Sequence, residues 1–196
     1  MNKRQLSLIL AIAVLVTGCA HPMIIKPDVA VLAVPADSSR IDKNIGLYIA
    51  PENRAKVVTT PGGGGDKVTY HPYEDLETGI YQVLGNVFRN VSLLKSLNDE
   101  EYMAKNSLVL VATPEITTNS SSSGILTWMA TDFTVTINCK ITDTAGQTVT
   151  TVSSTGTGHA DYSELKTNFS LAGEKASADA LIKLQAALQA ASELRK

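Results

Sequence analysis

Phe133-Thr134-Val135-Thr136-Ile137-Asn138-Cys139-Lys140-Ile141 carries an apolar residue at every second position. Side chains alternate across a strand, so the odd-numbered residues share one face and the polar ones share the other. The run belongs to a longer alternating stretch from Thr127 to Thr142. Asp143-Thr144-Ala145-Gly146 follows as a turn, with glycine where a positive φ is tolerated. Gln147 to Gly156 then returns as the partner strand. Residues 127–156 therefore read as a β-hairpin with one buried and one polar face. A half-buried sheet needs a covering layer, and the cover has to come from helices elsewhere in the chain.

Two helices supply it. Tyr73 to about Arg89 follows His71-Pro72, with proline where the first turn accepts it. Glu74, Asp75 and Glu77 complement the dipole of the first turns. Leu76, Ile80, Val83, Leu84, Val87 and Phe88 recur at steps of three and four, giving one apolar stripe. The second helix runs from about Ala172 to Leu194. Leu181, Leu184, Leu188 and Ala191 follow helical spacing, and the abundant alanine favours helix and close packing.

The remaining strands are shorter. Ile45-Gly-Leu47-Tyr-Ile49 alternates, and Pro51-Glu52-Asn53-Arg54 ends it. Ala55–Thr60 and Lys67–Tyr70 can pair around Pro61-Gly62-Gly63-Gly64-Gly65-Asp66. Val91–Leu94 is a short strand. Asn98–Glu101 marks a helical turn or loop. Ser107–Thr113 is apolar enough for a central strand. Thr117–Gly124 reads as a polar, flexible loop. The expected class is α+β, a two-layer sandwich: a mostly antiparallel sheet with two amphipathic helices packed on one face.

The N-terminus has a different character. Met1-Asn2-Lys3-Arg4 is basic, Leu6 to Val16 is apolar, and Thr17-Gly18-Cys19 carries small residues. This is the layout of a secretory signal peptide. The apolar run is too short to span a bilayer, which takes roughly 20 residues. Val16-Thr17-Gly18-Cys19 resembles the lipobox of bacterial lipoproteins. The resemblance implies cleavage between Gly18 and Cys19. It also implies a diacylglycerol thioether and an N-acyl group on Cys19, which would anchor the chain in a lipid bilayer. Ala20 rather than aspartate after the cysteine implies sorting to the outer membrane, facing the periplasm.

The expected organisation is a signal peptide over 1–18, a lipidated N-terminus and tether over 19–43, and a single α+β domain over 44–196. His21-Pro22, Lys26-Pro27-Asp28 and Val34-Pro35-Ala-Asp-Ser-Ser39 carry the breakers of a leash. Lys3 and Arg4 leave with the signal peptide, so the mature chain is more acidic than the net −2 of the whole. With no Lys/Arg cluster, nucleic acid is not an expected partner.

The order of lipobox, leash, strand, amphipathic helix, three antiparallel strands and closing Ala/Leu helix resembles small envelope lipoproteins. These are the YajG and LptE type, and the N-terminal domain of TolB is similar. Ile45-Gly-Leu-Tyr-Ile49, Gly156-Thr-Gly158 and Ala178-Asp-Ala-Leu181 carry the likeness. LptE-like chains usually have an aromatic, basic stretch after the cysteine, and Ala20-His-Pro-Met23 departs from it. The resemblance implies an α+β fold and an envelope compartment.

Reactive chemistry is sparse. Gly62–Gly65 lacks the Gly-Lys-Ser/Thr ending of a phosphate loop, and Asp66 would repel phosphate, so a hairpin tip is the favoured reading. His21, His71 and His159 are isolated, and no repeated metal-ligand spacing is present. Asp161 and Glu164 near His159 could form a base pairing, but no nucleophile accompanies them. Once Cys19 is acylated, Cys139 is the only thiol, and its alternation places it in the core. No catalytic residue, cofactor or metal is expected. Ile125-Leu126-Thr-Trp128-Met129 is an apolar, aromatic group after the Ser-rich stretch. It reads either as a partner contact or as core at the start of the strand.

Two functional readings follow. One is an outer-membrane-anchored, non-enzymatic scaffold or accessory subunit that docks an envelope complex or its own copies. The alternative is a lipid- or small-ligand-binding accessory lipoprotein of an envelope transport system, which would need an apolar cavity between helices and sheet.

Overall fold

The computed structural model describes residues 20–32, 40–122 and 128–196. The signal peptide, Gly18, Cys19, the middle of the expected tether, and Ile125 and Leu126 lie outside the described residues.

In chain order the strands are β1 (Ala20–Pro22), β2 (Ile41–Tyr48), β3 (Val58–Pro61), β4 (Lys67–Tyr70), β5 (Phe88–Leu94), β6 (Leu110–Ser121), β7 (Asp132–Asp143) and β8 (Thr148–His159). The helices are α1 (Pro51–Arg54), α2 (Pro72–Val87), α3 (Glu100–Lys105), α4 (Tyr162–Leu165) and α5 (Leu171–Ala190). Single 3₁₀ turns occupy Val29–Val31 and Ser192–Arg195.

The class is α+β, with α2 and α5 on one face of a five-stranded sheet in the order β5-β2-β6-β7-β8. The hairpin of β7 and β8 forms as the alternation requires. Phe133, Val135, Ile137, Cys139 and Ile141 are buried under the helices. The sheet is less antiparallel than expected, because β2 pairs parallel with both β5 and β6. The connection from β2 through α2 to β5 is a βαβ crossover, which returns the chain parallel to its start. β3 and β4 make the predicted hairpin, but in a separate three-stranded sheet with β1.

Residues 117–121, expected as a loop, continue β6. They stay in register with β7 to the pair Ser121 and Asp132. Ser120 points inward, where its hydroxyl lies 2.5 Å from that of Thr60 and donates to the Pro61 carbonyl. The Tyr70 hydroxyl donates to Thr118 at 2.7 Å. These hydroxyls tie the small sheet to the large one, so a polar stretch is strand because its buried groups have partners.

α5 lies unusually close to β8. A Cβ at Gly156 would stand 2.2 Å from the Ala176 carbonyl oxygen, and one at Gly158 would stand 2.1 Å from that of Ala172. Glycine on the strand and Ala172, Ala176 and Ala180 on the helix bring the two backbones together. Gly79 makes the matching allowance in α2, receiving Leu181 of α5.

The expected tether is corrected over its described part. Residues 20–32 are built into the domain: Met23, Ile25 and Leu32 are buried in the main core. The Ile25 N–H donates to Asp75 at 3.0 Å, and Asn86 donates to the Leu32 carbonyl at 2.9 Å and to Gln185 at 2.8 Å. Breaker residues shape this segment without keeping it off the surface, because alternation through Met23-Ile24-Ile25 still presents two apolar side chains to the core.

Candidate functional site

The site is the end of the domain where the described chain begins. β1 pairs parallel with β4, Ala20 opposite Lys67, and the Met23 N–H donates to the Thr69 carbonyl at 2.8 Å. That pairing places the His21 ring on the ring of Trp128, with centroids 4.1 Å apart and planes 25° from parallel. His21 Nε2 also lies 3.2 Å from an Asp66 carboxylate oxygen. Trp128 in turn meets Phe169, with centroids 5.6 Å apart.

The glycine-rich segment holds this arrangement. The Gly62 N–H donates to the Asp66 carbonyl and the Gly63 N–H to the Trp128 carbonyl, at 2.9 and 3.0 Å. A Cβ at Gly62 would lie 2.3 Å from the Trp128 carbonyl oxygen, and Gly65 has φ of +88°. The segment is a built turn rather than a loose tip: only glycine lets two backbones approach this closely or takes that φ without strain.

Phe169 sits in the connection between α4 and α5. Its neighbour Ser170 accepts a hydrogen bond from the Ile24 N–H at 3.3 Å, which ties Ile24 to the same connection. Ile24 is 63% exposed and Phe169 45%, whereas Ile25 is fully buried. Ile25 lies against Gly173, where a Cβ would come within 2.5 Å of it. Asp75, which holds the Ile25 N–H, is half-buried, and burial raises its carboxyl above the usual range.

The predicted contact group is divided. Trp128 belongs to this end of the domain. Met129 turns into the core, 8% exposed. Sequence reasoning missed His21, Ile24 and Phe169. Ile24 was visible as the outward member of an alternating trio. Phe169 stood out only as an aromatic in a polar stretch, and nothing local linked it to Trp128.

Other candidates resolve differently. Cys139 is fully buried, and burial pushes its thiol up to about 12, so it is a core residue and not a nucleophile. His159 lies with Nδ1 2.8 Å from Asp132 and Nε2 3.3 Å from Asp161, so neither ring nitrogen is free. The Asp132 and Asp161 carboxylates raise its pKa, and it joins a surface ion cluster in which Lys175 bonds Glu164 at 3.0 Å. Among the described residues no group of three or more His, Cys, Asp or Glu side chains is placed to hold a metal ion. A groove of about 540 Å³ runs past Asp42, Arg89, Asp143 and Glu193 on the outer surface. Between α5 and β8 the backbones touch, which leaves no room for a ligand there.

No family model matches the chain. No curated protein matches it. Among solved structures, it is similar to a Xanthomonas campestris protein of the DUF330 family, 11% identical, with a TM-score of 0.51, covering 92% of this chain and all of that one. A minor lipoprotein from Acinetobacter baumannii is 14% identical, with a TM-score of 0.44 over 76% of this chain and 93% of that one. PelC from Paraburkholderia phytofirmans, a dodecamer, is 17% identical, with a TM-score of 0.43 over 78% and 95%. The first likeness is one of fold alone, and the other two overlap too loosely to bear on function.

Proposed function

We propose that this chain is a lipid-anchored lipoprotein of the bacterial envelope, held in the outer membrane through acylated Cys19 and facing the periplasm. There it acts as a non-enzymatic scaffold or accessory subunit. The observation that carries the reading is Val16-Thr17-Gly18-Cys19 at the end of the apolar run, directly ahead of the folded domain. Three acyl chains, at ~0.8 kcal/mol per buried CH₂, make a stable anchor where one is marginal. Among the described residues no helix is long and apolar enough to cross a membrane.

The scaffold part is supported by the uncovered side of the sheet. Among the described residues, α3 covers the part around Leu94, Leu108 and Val111. Beyond it, β6, β7 and β8 display rows of short polar side chains in register, such as Thr117-Thr136-Thr155 and Glu115-Asn138-Ser153. The Thr136 and Thr155 hydroxyls lie 3.0 Å apart, and Ser153 donates to Asn138 at 2.7 Å. β-branched side chains already paired with one another lose little freedom when a partner covers them.

The anchor is tested by metabolic labelling with an alkyne-bearing fatty acid. The native chain takes up label and fractionates with the outer membrane, and Cys19→Ser takes up none and accumulates as precursor. A labelled Cys19→Ser chain would sink the reading. Photo-crosslinkers at Thr117, Thr136 and Thr155 test the scaffold. Envelope proteins captured from the sheet face support it, and their absence at all three positions counts against it.

A further inference from the structure

We propose that the end of the domain formed by Ile24, Trp128 and Phe169 is a seat for the phospholipid interface, so that the domain rests against the bilayer. The inference deepens the lipoprotein reading and rests on the anchor at Cys19.

Geometry leaves little alternative once the anchor is in place. Successive Cα atoms are ~3.8 Å apart, so Ala20 stays within that distance of the anchored cysteine. Ala20 is already the first residue of β1, paired to Lys67, and the segment after it is sealed into the core through Met23 and Ile25. A domain on a leash could stand clear of the membrane, whereas this one can do so only by peeling β1 from β4. Whatever surrounds β1 therefore meets the lipid.

What surrounds it suits that setting. Trp128 is stacked on His21, Phe169 leans on Trp128, and the Ile24 backbone is held at Ser170, the residue after Phe169. The exposed members are an aliphatic and an aromatic side chain, and a tryptophan is partly exposed with them. Tryptophan is enriched at membrane–water boundaries, where an amphipathic ring sits at headgroup level. Lys67, across the strand pair from Ala20, is exposed, and the neighbouring Asp66 carboxylate is engaged by His21.

Trp128 is the only tryptophan in the chain, so its emission reports this end alone. The full, processed protein is reconstituted into phosphatidylethanolamine/phosphatidylglycerol vesicles carrying bromine either near the headgroup or deep in the acyl chain. Acylation of Cys19 is measured by mass in the same sample. The seat requires loss of Trp128 emission with the shallow label and little loss with the deep one. In Ile24→Ser/Phe169→Ser, two exposed positions, that loss shrinks while acylation and the circular dichroism spectrum hold. Acylated, vesicle-bound protein with unquenched Trp128 overturns the seat and leaves the anchor standing. Protein neither acylated nor quenched overturns both. A blue shift that grows with protein concentration in the absence of lipid overturns the seat in favour of a second copy.

Discussion

At the scale of single residues, the alternation in β7 settled the place of Cys139, and the turn at Asp143–Gly146 fixed the hairpin. Neither needed any knowledge of distant parts of the chain. Gly156 and Gly158 are different, because their reason is a helix about twenty residues away. Gly156→Ala forces a methyl group into the backbone of α5, and overpacking of this kind costs about 1–3 kcal/mol. A lowered urea midpoint with an unchanged slope checks it, and an unshifted midpoint would mean α5 can lift freely. His159 carries a pH signature. Its hydrogen bonds to Asp132 and Asp161 raise its pKa above the ordinary 6.5, and those from Thr131 and His159 lower that of Asp132 below 3.8. The histidine's contribution to stability is full below 6.5 and fades as pH rises through the raised value. That of Asp132 is full above 3.8 and fades as pH falls through the lowered one. The ion pair therefore acts in the window between. In an NMR titration the His159 ring protons have a midpoint above 6.5, and Asp132→Asn moves it down.

At the scale of elements, β8 is a twelve-residue edge strand, which is a template for unwanted pairing. α5 blocks it with charge. Lys183 donates to the Thr155 carbonyl and Lys175 to that of His159, each at 3.0 Å, while Asp179 accepts from the Thr157 N–H at 3.0 Å. Asp179 and Lys183 are also paired, at 2.7 Å. Replacing all three by alanine changes monomer stability by about 1 kcal/mol or less per exposed pair. It uncovers the edge, so sedimentation velocity shows concentration-dependent association absent from the native chain. A triple variant that stays monomeric would show that the edge is protected by something else. Long, periodic elements were legible: the hairpin, α2 and α5 fall within a few residues of their expected bounds. The parallel pairing of β2 and the continuation of β6 were not, because both depend on partners supplied by other segments. Polar residues 117–121 look like loop until Thr60 and Tyr70 arrive to bond them.

At the scale of the whole molecule, the main departure from expectation is that the segment after Cys19 is structure rather than leash. Its prolines and polar residues pointed to a tether, and the burial of Met23, Ile25 and Leu32 decides otherwise. Burying an aliphatic side chain of this size is worth about 1.5–3 kcal/mol. Removing residues 20–32 therefore lowers the melting temperature of the domain, where trimming a true tether would leave it unchanged. Asn86→Ala is the milder form. It removes the donor to the Leu32 carbonyl and to the Gln185 side-chain oxygen, costs about 1–3 kcal/mol, and speeds limited proteolysis within residues 20–32 before the rest opens. The candidate site was half legible for the same reason. Trp128 stands out in the sequence, but His21, more than a hundred positions away, and Phe169, about forty positions away, reach it only after the chain closes.

That closure bears on the order of events during synthesis and export. Ile24 is held by Ser170, and Ile25 is covered at Gly173. The earliest described residues are thus locked down by the last helix. A chain that emerges N-terminus first can pair this segment with β4 and α2 early, but its cover at Ser170 and Gly173 comes only when nearly all of it has appeared, and contacts of such long sequence separation form late. The seal over Ile24 and Ile25 therefore closes only when the final stretch arrives, and until then the start of the folded chain is held by fewer contacts, which favours a chain that has to be threaded.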